Sequence, residues 1–174
     1  MIREIFIIAA MSFTPNAQMP QEYAEMIWEE TRETDVDPVR VAALMYTESR
    51  FNRRAFNEES RTRGLMQIAP FWIRHFRLRT NQLFNPRINI RSGIRILQIG
   101  ETAHHERCPR SLGTNYDNHH KALAHYRCHR DALRSRACRR SLRSVYRWED
   151  RFRERVQEIE RERAEQDGGT SEEN

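Results

Sequence analysis

Glu48 is the residue of this sequence whose surroundings best suit acid–base chemistry. The pattern of apolar residues before it predicts a helix, and Glu48 falls near the C-terminal end of that helix. Phe51 and the apolar residues of the 65–68 run follow closely and are expected to pack around its side chain. A carboxyl group in partly apolar surroundings retains its proton at higher pH than an exposed one, which suits it to general acid catalysis. The sequence therefore predicts a proton donor at this position.

The elements that position Glu48 are predicted to be helices. Asp37 is a typical N-cap residue and Pro38 a typical first helical residue, so the helix that carries Glu48 should begin there. The polar stretch 52–64 has no periodicity and is predicted to be a loop with room for a short hairpin. Further helices are predicted at four places, namely over 21–34, from Pro70 through Phe76, after an Asn89 N-cap and over 118–127.

Four motifs follow one another in a fixed order. They are E-S-R-F-N at 48–52, G-L-M-Q-I-A-P at 64–70, N-P-R-I-N-I-R-S-G at 85–93 and A-L-A-H-Y at 122–126. In order and spacing they resemble the lytic transglycosylases of the soluble-transglycosylase (SLT) type, relatives of goose-type lysozyme. The similarity covers residues 24–130, and the joint occurrence of the first two motifs is specific because neither is a general helix or turn pattern.

The resemblance implies a fold, an activity and a set of site residues. The fold would be mainly α, of the α+β lysozyme-like kind, as one helical domain with a small loop or hairpin region and a charged C-terminal tail. The enzyme would cleave the MurNAc–GlcNAc β-1,4 bond of peptidoglycan without a cofactor and leave 1,6-anhydroMurNAc ends. Glu48 maps to the catalytic acid and base, and the expected substrate-binding residues are Ser49, Met66, Gln67 and Tyr126.

The sequence departs from the family pattern at two places. Sixteen positions separate Glu48 from Gly64 (64 − 48), one more than is usual, and the loop between them is more basic. The family's Y-N-x-G is replaced here by Tyr126-Arg127-Cys128-His129. The groove wall near Tyr126 is therefore expected to differ from that of the family.

Two other functions remain open from the sequence. A hydrolase normally adds a second carboxylate, and Glu58 or Glu59 would have to turn back toward Glu48 to activate water as in a muramidase. Alternatively, the altered segment after Tyr126 would leave a catalytically silent glycan-binding or assembly protein. A nucleic-acid partner is not expected, because the arginines are spread along the chain and interleaved with glutamate.

Composition limits the size of the protein and the charge of its partner. The 174 residues have room for one domain with a sizeable core. Thirty basic residues stand against 25 acidic ones, giving a net charge of +5, and Lys121 is the only lysine. This balance favours a polyanionic partner, whether nucleic acid, anionic lipid or an acidic cell-wall polymer, and does not choose among them.

The chain is predicted to have three parts. Residues 1–17 have the layout of a short signal peptide, with a first core element or a misassigned start as the alternatives. Residues 18–147 form the lysozyme-like domain, and residues 148–174 form a solvated, charged helix and a disordered end. The activity calls for a periplasmic or extracellular location, and the tail would offer a docking site for a secretion, virion or lysis assembly.

The cysteines allow more than one chemistry. In an oxidising compartment, Cys128 could pair with Cys138 or with Cys108, leaving one free thiol, whereas all three would be reduced in the cytosol. His125, Cys128 and His129 lie close together in sequence but lack the paired spacing of a structural zinc site. No metal or cofactor is therefore expected.

Overall fold

The computed structural model describes residues 2–107, 122–123, 126 and 136–169. The described residues form a mainly helical fold, as the sequence predicted. A 3-10 helix at Thr80–Phe84 precedes α5, and two antiparallel bridges, Phe56 with Arg63 and Arg63 with Ile68, are the β-structure found within the described ranges. The α-helices are α1 (Ile2–Ser12), α2 (Gln21–Thr31), α3 (Pro38–Ser49), α4 (Pro70–His75), α5 (Pro86–Arg107) and α6 (Arg136–Gly169).

Helix α3 is the central element, and its ends are where the sequence predicted them. The Asp37 side chain accepts a hydrogen bond from the Val39 amide at 2.9 Å, and Pro38 occupies the first turn. An N-cap of this kind stabilises a helix by about 1 kcal/mol. Every residue from Val41 to Tyr46 is buried, so α3 is surrounded by other elements on most sides. Its C-terminal end carries Glu48 to the edge of the core.

Helix α6 corrects the prediction of a solvated tail. It begins at Arg136, twelve residues before the predicted boundary at Trp148, and packs along α3 and α1. Its buried residues are spaced three, four or seven positions apart, as expected for one face of a helix against a core: Leu142, Val145, Glu149, Phe152 and Ile159. The charge of the segment had hidden this apolar face. The first half of the predicted tail is thus an integral part of the domain.

Helix α1 provides the other partner of α6. The Phe6 ring lies 5.3 Å from that of Phe152 and 5.4 Å from that of Trp28, and Phe13 contacts the Phe152 ring at 4.8 Å. Phe6 and Phe13 are both buried. In the structure the N-terminal segment is a core element, which is one of the alternatives that the sequence left open. Whether the segment also directs export stays a prediction.

Two helix boundaries differ from those predicted. Helix α2 ends at Thr31 rather than residue 34, because the chain turns there, with the Thr34 amide donating to the Thr31 carbonyl at 2.8 Å. Helix α5 begins at Pro86, and Asn85 caps it by accepting a hydrogen bond from the Ile88 amide at 3.2 Å. The predicted cap, Asn89, therefore lies inside the helix.

Several predictions fall on positions that the structure does not describe. Most of the predicted 118–127 helix lies outside the described residues, although 122–123 and 126 are helical. Cys108, Cys128, Arg127, His125 and His129 also lie outside them, and for Cys138 only the backbone of α6 is described. Within the described ranges, no helix combines the length and apolar character that crossing a membrane requires.

Candidate active site

Glu48 lies in the last turn of α3, half-buried, at a cavity of about 380 Å³. Gln67 and Tyr126, two other residues predicted for the site, line the same cavity. Glu48 is the only carboxylate among the described residues that line it. The structure therefore brings together one acidic group and two of the predicted sugar-binding residues around one concave space.

The backbone directly after Glu48 is held in an unusual conformation. Arg50 and Phe51 both have positive φ angles, of 50° and 64°, although neither is a glycine. Each such residue costs on the order of 1–3 kcal/mol and persists only where its surroundings determine it. Here the Arg50 guanidinium donates to the Tyr46 hydroxyl at 2.7 Å, and the buried Phe51 ring packs 5.4 Å from the Tyr46 ring. These contacts end α3 abruptly and so fix Glu48 at the cavity.

Gln67 joins the two sides of the loop that faces Glu48. Its Nε2 donates to the carbonyls of Gly64 and Ala55, at 2.9 and 3.2 Å, and its Oε1 accepts from the Thr62 hydroxyl at 2.8 Å. Gln67 also has a positive φ of 48°. Since both amide protons are used within the loop, the second lone pair of Oε1 is what the side chain retains for a ligand. Gln67 thus shapes the cavity wall as well as lining it.

Asn89 fixes that loop to α5. Its side chain is fully buried, accepts from the Met66 amide at 2.7 Å, and donates to the carbonyls of Leu83 and Arg63 at 2.9 and 3.0 Å. The side-chain amide of Asn89 thereby forms hydrogen bonds with three main-chain groups, two in the loop and one in the 3-10 helix. A buried main-chain group left unpaired costs about 1–3 kcal/mol, so the clamp is a substantial one. Sequence reasoning missed this role because Asn89 resembles a helix cap.

Two glycines of the motifs allow the loop to approach α5. Gly64 has a φ of +78°, and a Cβ at this position would lie 2.3 Å from the Leu83 carbonyl oxygen. A Cβ on Gly93 would lie 2.2 Å from the sulfur of Met66. Gly64 therefore requires glycine for space and for its backbone conformation, whereas a side chain at position 93 would have to displace the end of the Met66 side chain.

Tyr126 closes the cavity from another side. Its hydroxyl donates to the Met66 carbonyl at 2.5 Å, so Met66 is held through its amide by Asn89 and through its carbonyl by Tyr126. The Met66 side chain itself is fully buried and does not line the cavity. The Ser49 hydroxyl donates to the Met45 carbonyl at 3.2 Å, and Ser49 is not part of the described lining either. Met66 and Ser49 thus support the site rather than face its interior.

Trp72 is a cavity residue that sequence reasoning missed. It lines the cavity beside Gln67, and its ring stacks on that of Phe76 at 5.6 Å with an interplanar angle of 22°. An indole combines a broad apolar face with one polar N–H group, which suits it to the mixed surface of a sugar. The aromatic pair directly after Pro70 was the signal in the sequence.

The residues predicted for a second carboxylate lie elsewhere. Glu58 and Glu59 are exposed and are not part of the described lining, whereas Asn57 before them is. Asn57 is held in the loop by two hydrogen bonds. Its side-chain Oδ1 accepts from the Ser60 main-chain amide at 2.9 Å, and its main-chain amide donates to the Thr62 carbonyl at 3.1 Å. Among the described residues there is also no cluster of potential metal ligands.

Comparison with known families agrees with this arrangement. Residues 25–137 match the family model of the transglycosylase SLT domain, which is well over half of the chain. The chain belongs to the SLT transglycosylase family. Glu48, Gln67 and Tyr126 of this SLT domain all fall within the matched segment, which begins in α2 and ends at the start of α6.

One solved structure extends the comparison beyond the matched segment. The 70 kDa soluble lytic transglycosylase of Escherichia coli is similar in fold, with a TM-score of 0.61 over 78% of this chain. At 16% sequence identity the likeness shows the fold alone, and this SLT chain spans 24% of that larger protein. A comparison with curated protein sequences found no match.

Proposed function

We propose that this SLT domain is a peptidoglycan lytic transglycosylase, with Glu48 as its catalytic residue. It would cleave the β-1,4 bond between MurNAc and GlcNAc and leave a 1,6-anhydroMurNAc end. The observation that carries the proposal is the position of Glu48 as the single carboxylate of the described cavity lining, beside Gln67 and Tyr126. A one-carboxylate site is what this reaction needs, since no water has to be activated.

In the proposed reaction, Glu48 first acts as an acid. Its carboxyl group protonates the glycosidic oxygen while the bond from that oxygen to C1 of MurNAc breaks, and GlcNAc leaves with a free 4-hydroxyl group. The 6-hydroxyl oxygen of the same MurNAc then bonds to C1, and its proton passes to the Glu48 carboxylate. Glu48 ends in its starting protonation state, and no water is consumed.

The geometry supports this reaction over hydrolysis. Hydrolases place a second carboxylate about 5–9.5 Å from the first. Glu58 and Glu59, the predicted sources, are exposed and outside the described lining. The 6-hydroxyl group of MurNAc is an intramolecular nucleophile, and its reaction is accelerated by its proximity to C1. Trp72 and Tyr126, which line the cavity, would promote this reaction by holding the MurNAc ring.

The expected location and partners follow from the substrate. Peptidoglycan glycan strands lie outside the cytoplasmic membrane, so the protein would act in the periplasm or outside the cell. The residues of α6 beyond Ile159 are mostly exposed and offer a surface for a secretion, virion or lysis assembly.

Mass spectrometry of the soluble products from purified peptidoglycan tests the proposal. The parent protein is expected to release anhydro-muropeptides, and a Glu48→Gln variant is expected to release none. Glu58→Gln is the matched control, because it makes the same chemical change at an exposed residue outside the described lining. The control should give the same products as the parent at the same rate.

The other outcomes each contradict the proposal in a distinct way. Reducing-end products from the parent would identify a muramidase and direct attention to Glu58 and Glu59. No products from a parent that binds peptidoglycan and has a cooperative melting transition would favour a silent glycan-binding protein. Equal activity of the parent and the Glu48→Gln variant would remove the catalytic role from Glu48.

A further inference from the structure

Helix α6 carries a group of arginines that the proposed reaction does not use. All five are exposed, and together they line a cavity of about 360 Å³. We call them the arginine stripe: Arg136, Arg139, Arg140, Arg143 and Arg147. Because they lie along one face of the same helix, they form one continuous basic surface.

The stripe occupies the side of α6 that faces away from the core. At 100° per residue, its members fall within about 100° of one another around the helix axis. Leu142, Val145 and Glu149 are buried and project from the opposite side. With a rise of 1.5 Å per residue, the stripe is about 16 Å long. It is therefore a linear, solvent-facing surface rather than part of the packing of α6.

The stripe lies in a segment of the chain that contains no acidic residue. The sequence has no Asp or Glu from 132 to 148, and Arg136, Arg140, Arg143 and Arg147 form no ion pair with the described residues. Elsewhere arginines do pair with carboxylates, as Arg40 does with Glu149 and Arg91 with Glu30. The interleaving of arginine with glutamate that is typical of the rest of the chain is therefore absent from this segment. Its potential is strongly positive, and a bound anion would meet no competing carboxylate of its own helix within it.

The register between α3 and α6 places the stripe at the same end of the helix pair as Glu48. Arg153 donates to Asp37, and Arg40 donates to Glu149 at 2.8 Å, so the two helices run antiparallel. Both helices rise 1.5 Å per residue, so the same register can be followed along the pair. Glu48 then lies at about the same height along the helix axes as residue 142 of α6. The level of Glu48 therefore falls within the stripe, which extends from Arg136 to Arg147 along α6.

We propose that the arginine stripe binds the carboxylates of peptidoglycan stem peptides, an inference that rests on the proposed function and names the chemistry of its substrate. Peptidoglycan repeats carboxylate-bearing peptides along each glycan strand, and arginine binds carboxylates with two parallel hydrogen bonds. A strand with its sugars in the Glu48 cavity would present neighbouring stem peptides to the stripe. The stripe thus selects strands that carry free carboxylates and adds to their affinity.

Two other polyanions fit the stripe less well. Single-stranded nucleic acid is normally held by aromatic side chains that stack on its bases, and the stripe has none. A membrane-surface helix inserts an apolar face, whereas the apolar face of α6 is buried against α1 and α3. Both polyanions are included as alternatives in the test.

Cosedimentation with purified, insoluble peptidoglycan measures this binding directly. All proteins carry Glu48→Gln so that digestion does not remove the substrate. The stripe variant replaces Arg140, Arg143 and Arg147 with Gln, and the control replaces the exposed Arg32, Arg74 and Arg161 in the same way. Each protein is offered native peptidoglycan and peptidoglycan whose carboxylates have been converted to amides. The comparison of native with amidated peptidoglycan uses the protein with the intact stripe, so its result does not depend on whether the stripe variant folds.

The stripe variant is expected to bind native peptidoglycan about tenfold more weakly at low salt, since each exposed charge pair contributes up to a factor of about five. Amidation of the peptidoglycan should weaken its binding to the protein with the intact stripe by a similar factor. It should change the binding of the stripe variant little. The control should bind native peptidoglycan within about twofold of the protein it was derived from, because exposed charges outside the contact act weakly.

Four outcomes would overturn the inference. The first two are unchanged peptidoglycan binding by the stripe variant and an equal loss of binding by the control. The third is that amidation has no effect on binding by the protein with the intact stripe. The fourth is stripe-dependent binding to phosphatidylglycerol vesicles or to an oligodeoxynucleotide, combined with no effect of amidation on peptidoglycan binding. Failure of the proposed function is seen separately. In that case the parent releases no anhydro-muropeptides, while amidation still weakens binding through the stripe.

Discussion

Arg40 and Glu149 form a buried ion pair that joins α3 to α6. The Arg40 Nε lies 2.8 Å from Oε1 of Glu149, and Nη2 lies 3.4 Å from Oε2. Their side chains are 12% and 7% exposed, so water hardly screens the pair. Burial raises the pKa of Glu149, while the hydrogen bond from Arg40 opposes that shift. The pair fixes the position of α6 along the helix that carries Glu48.

The first prediction concerns the loss of this pair. Glu149→Gln keeps the shape of the side chain but leaves the Arg40 charge buried without its carboxylate partner. Breaking a buried pair on one side typically costs about 3–5 kcal/mol of unfolding free energy. Urea denaturation at pH 7 measures the loss. Glu154→Gln, at an exposed position of the same helix, should change the free energy by less than about 0.5 kcal/mol. A loss below about 1 kcal/mol for Glu149→Gln would mean that the pair is not stabilising.

The second prediction concerns the clamp formed by Asn89. Asn89→Ala leaves the Met66 amide and the Leu83 carbonyl without the Asn89 partner, whereas the Arg63 carbonyl still accepts from the Ile68 amide at 3.0 Å. At about 1–3 kcal/mol for each of these two groups, the expected loss of unfolding free energy is about 2 kcal/mol or more. Asn89→Asp retains the acceptor for the Met66 amide but loses both donors, so its loss should be comparable.

Asn81→Ala is the control for the clamp, because Asn81 is an exposed asparagine in the preceding 3-10 helix. It should change the unfolding free energy by less than about 0.5 kcal/mol. If Asn89→Ala matched this small change, the clamp would be replaceable by water.

The third prediction concerns the aromatic packing of α1. Phe6→Ala removes a ring that is 4% exposed and packs on Phe152 and Trp28. Truncating a buried phenylalanine costs about 3–5 kcal/mol through lost burial and the cavity left behind. Ile8→Ala on the same helix, where the side chain is 40% exposed, should cost less than about 1 kcal/mol. Equal, small effects at both positions would show that α1 contributes little to the folded domain.

The fourth prediction concerns the pH dependence of the contact between α2 and α5. Glu30 accepts hydrogen bonds from Arg91 at 2.8 Å through both carboxylate oxygens, and this lowers its pKa below the usual 4.5. A lowered folded-state pKa means that the stabilisation is present above about pH 4.5 and is lost as the pH falls through the folded-state value. Glu30→Gln should therefore lower the unfolding free energy by about 1 kcal/mol at pH 7.

The difference between the parent and Glu30→Gln should shrink as the pH is lowered from about 4.5, when followed by urea denaturation at several pH values. Glu33→Gln, an exposed glutamate just beyond α2, serves as the control. A difference that stayed constant down to pH 2 would show that the carboxylate charge is not what stabilises the contact.

The sequence predicted those parts of the fold that depend on neighbouring residues. Asp37 and Pro38 identify the start of α3 because a cap acts on amides two residues away. Pro70 identifies the start of α4 because the fixed φ of proline suits the first helical position. Glu48, Gln67 and Tyr126 were predicted by resemblance, and the structure brings all three to one cavity.

What the sequence did not reveal depends on contacts that are distant along the chain. Asn89 is surrounded by the same local signals as a helix cap, and its partners at Met66 and Leu83 are defined only by the fold. Helix α6 has so many charges that its apolar face was overlooked, and that face is recognisable only by what it packs against. The arginine stripe likewise becomes a single surface only once the helix places its members side by side.

The contacts of α6 also determine when the domain can fold. The Arg155 guanidinium donates to the Ser12 hydroxyl at 3.1 Å, across 143 positions of the sequence, and the pair between Arg40 and Glu149 spans 109. Contacts this distant make a chain slow to fold, because the intervening loop has to close first. During synthesis the helix that carries Glu48 is made long before the helix that packs along it. The contacts that hold the helix of Glu48 in place are therefore completed only after α6 has been synthesised.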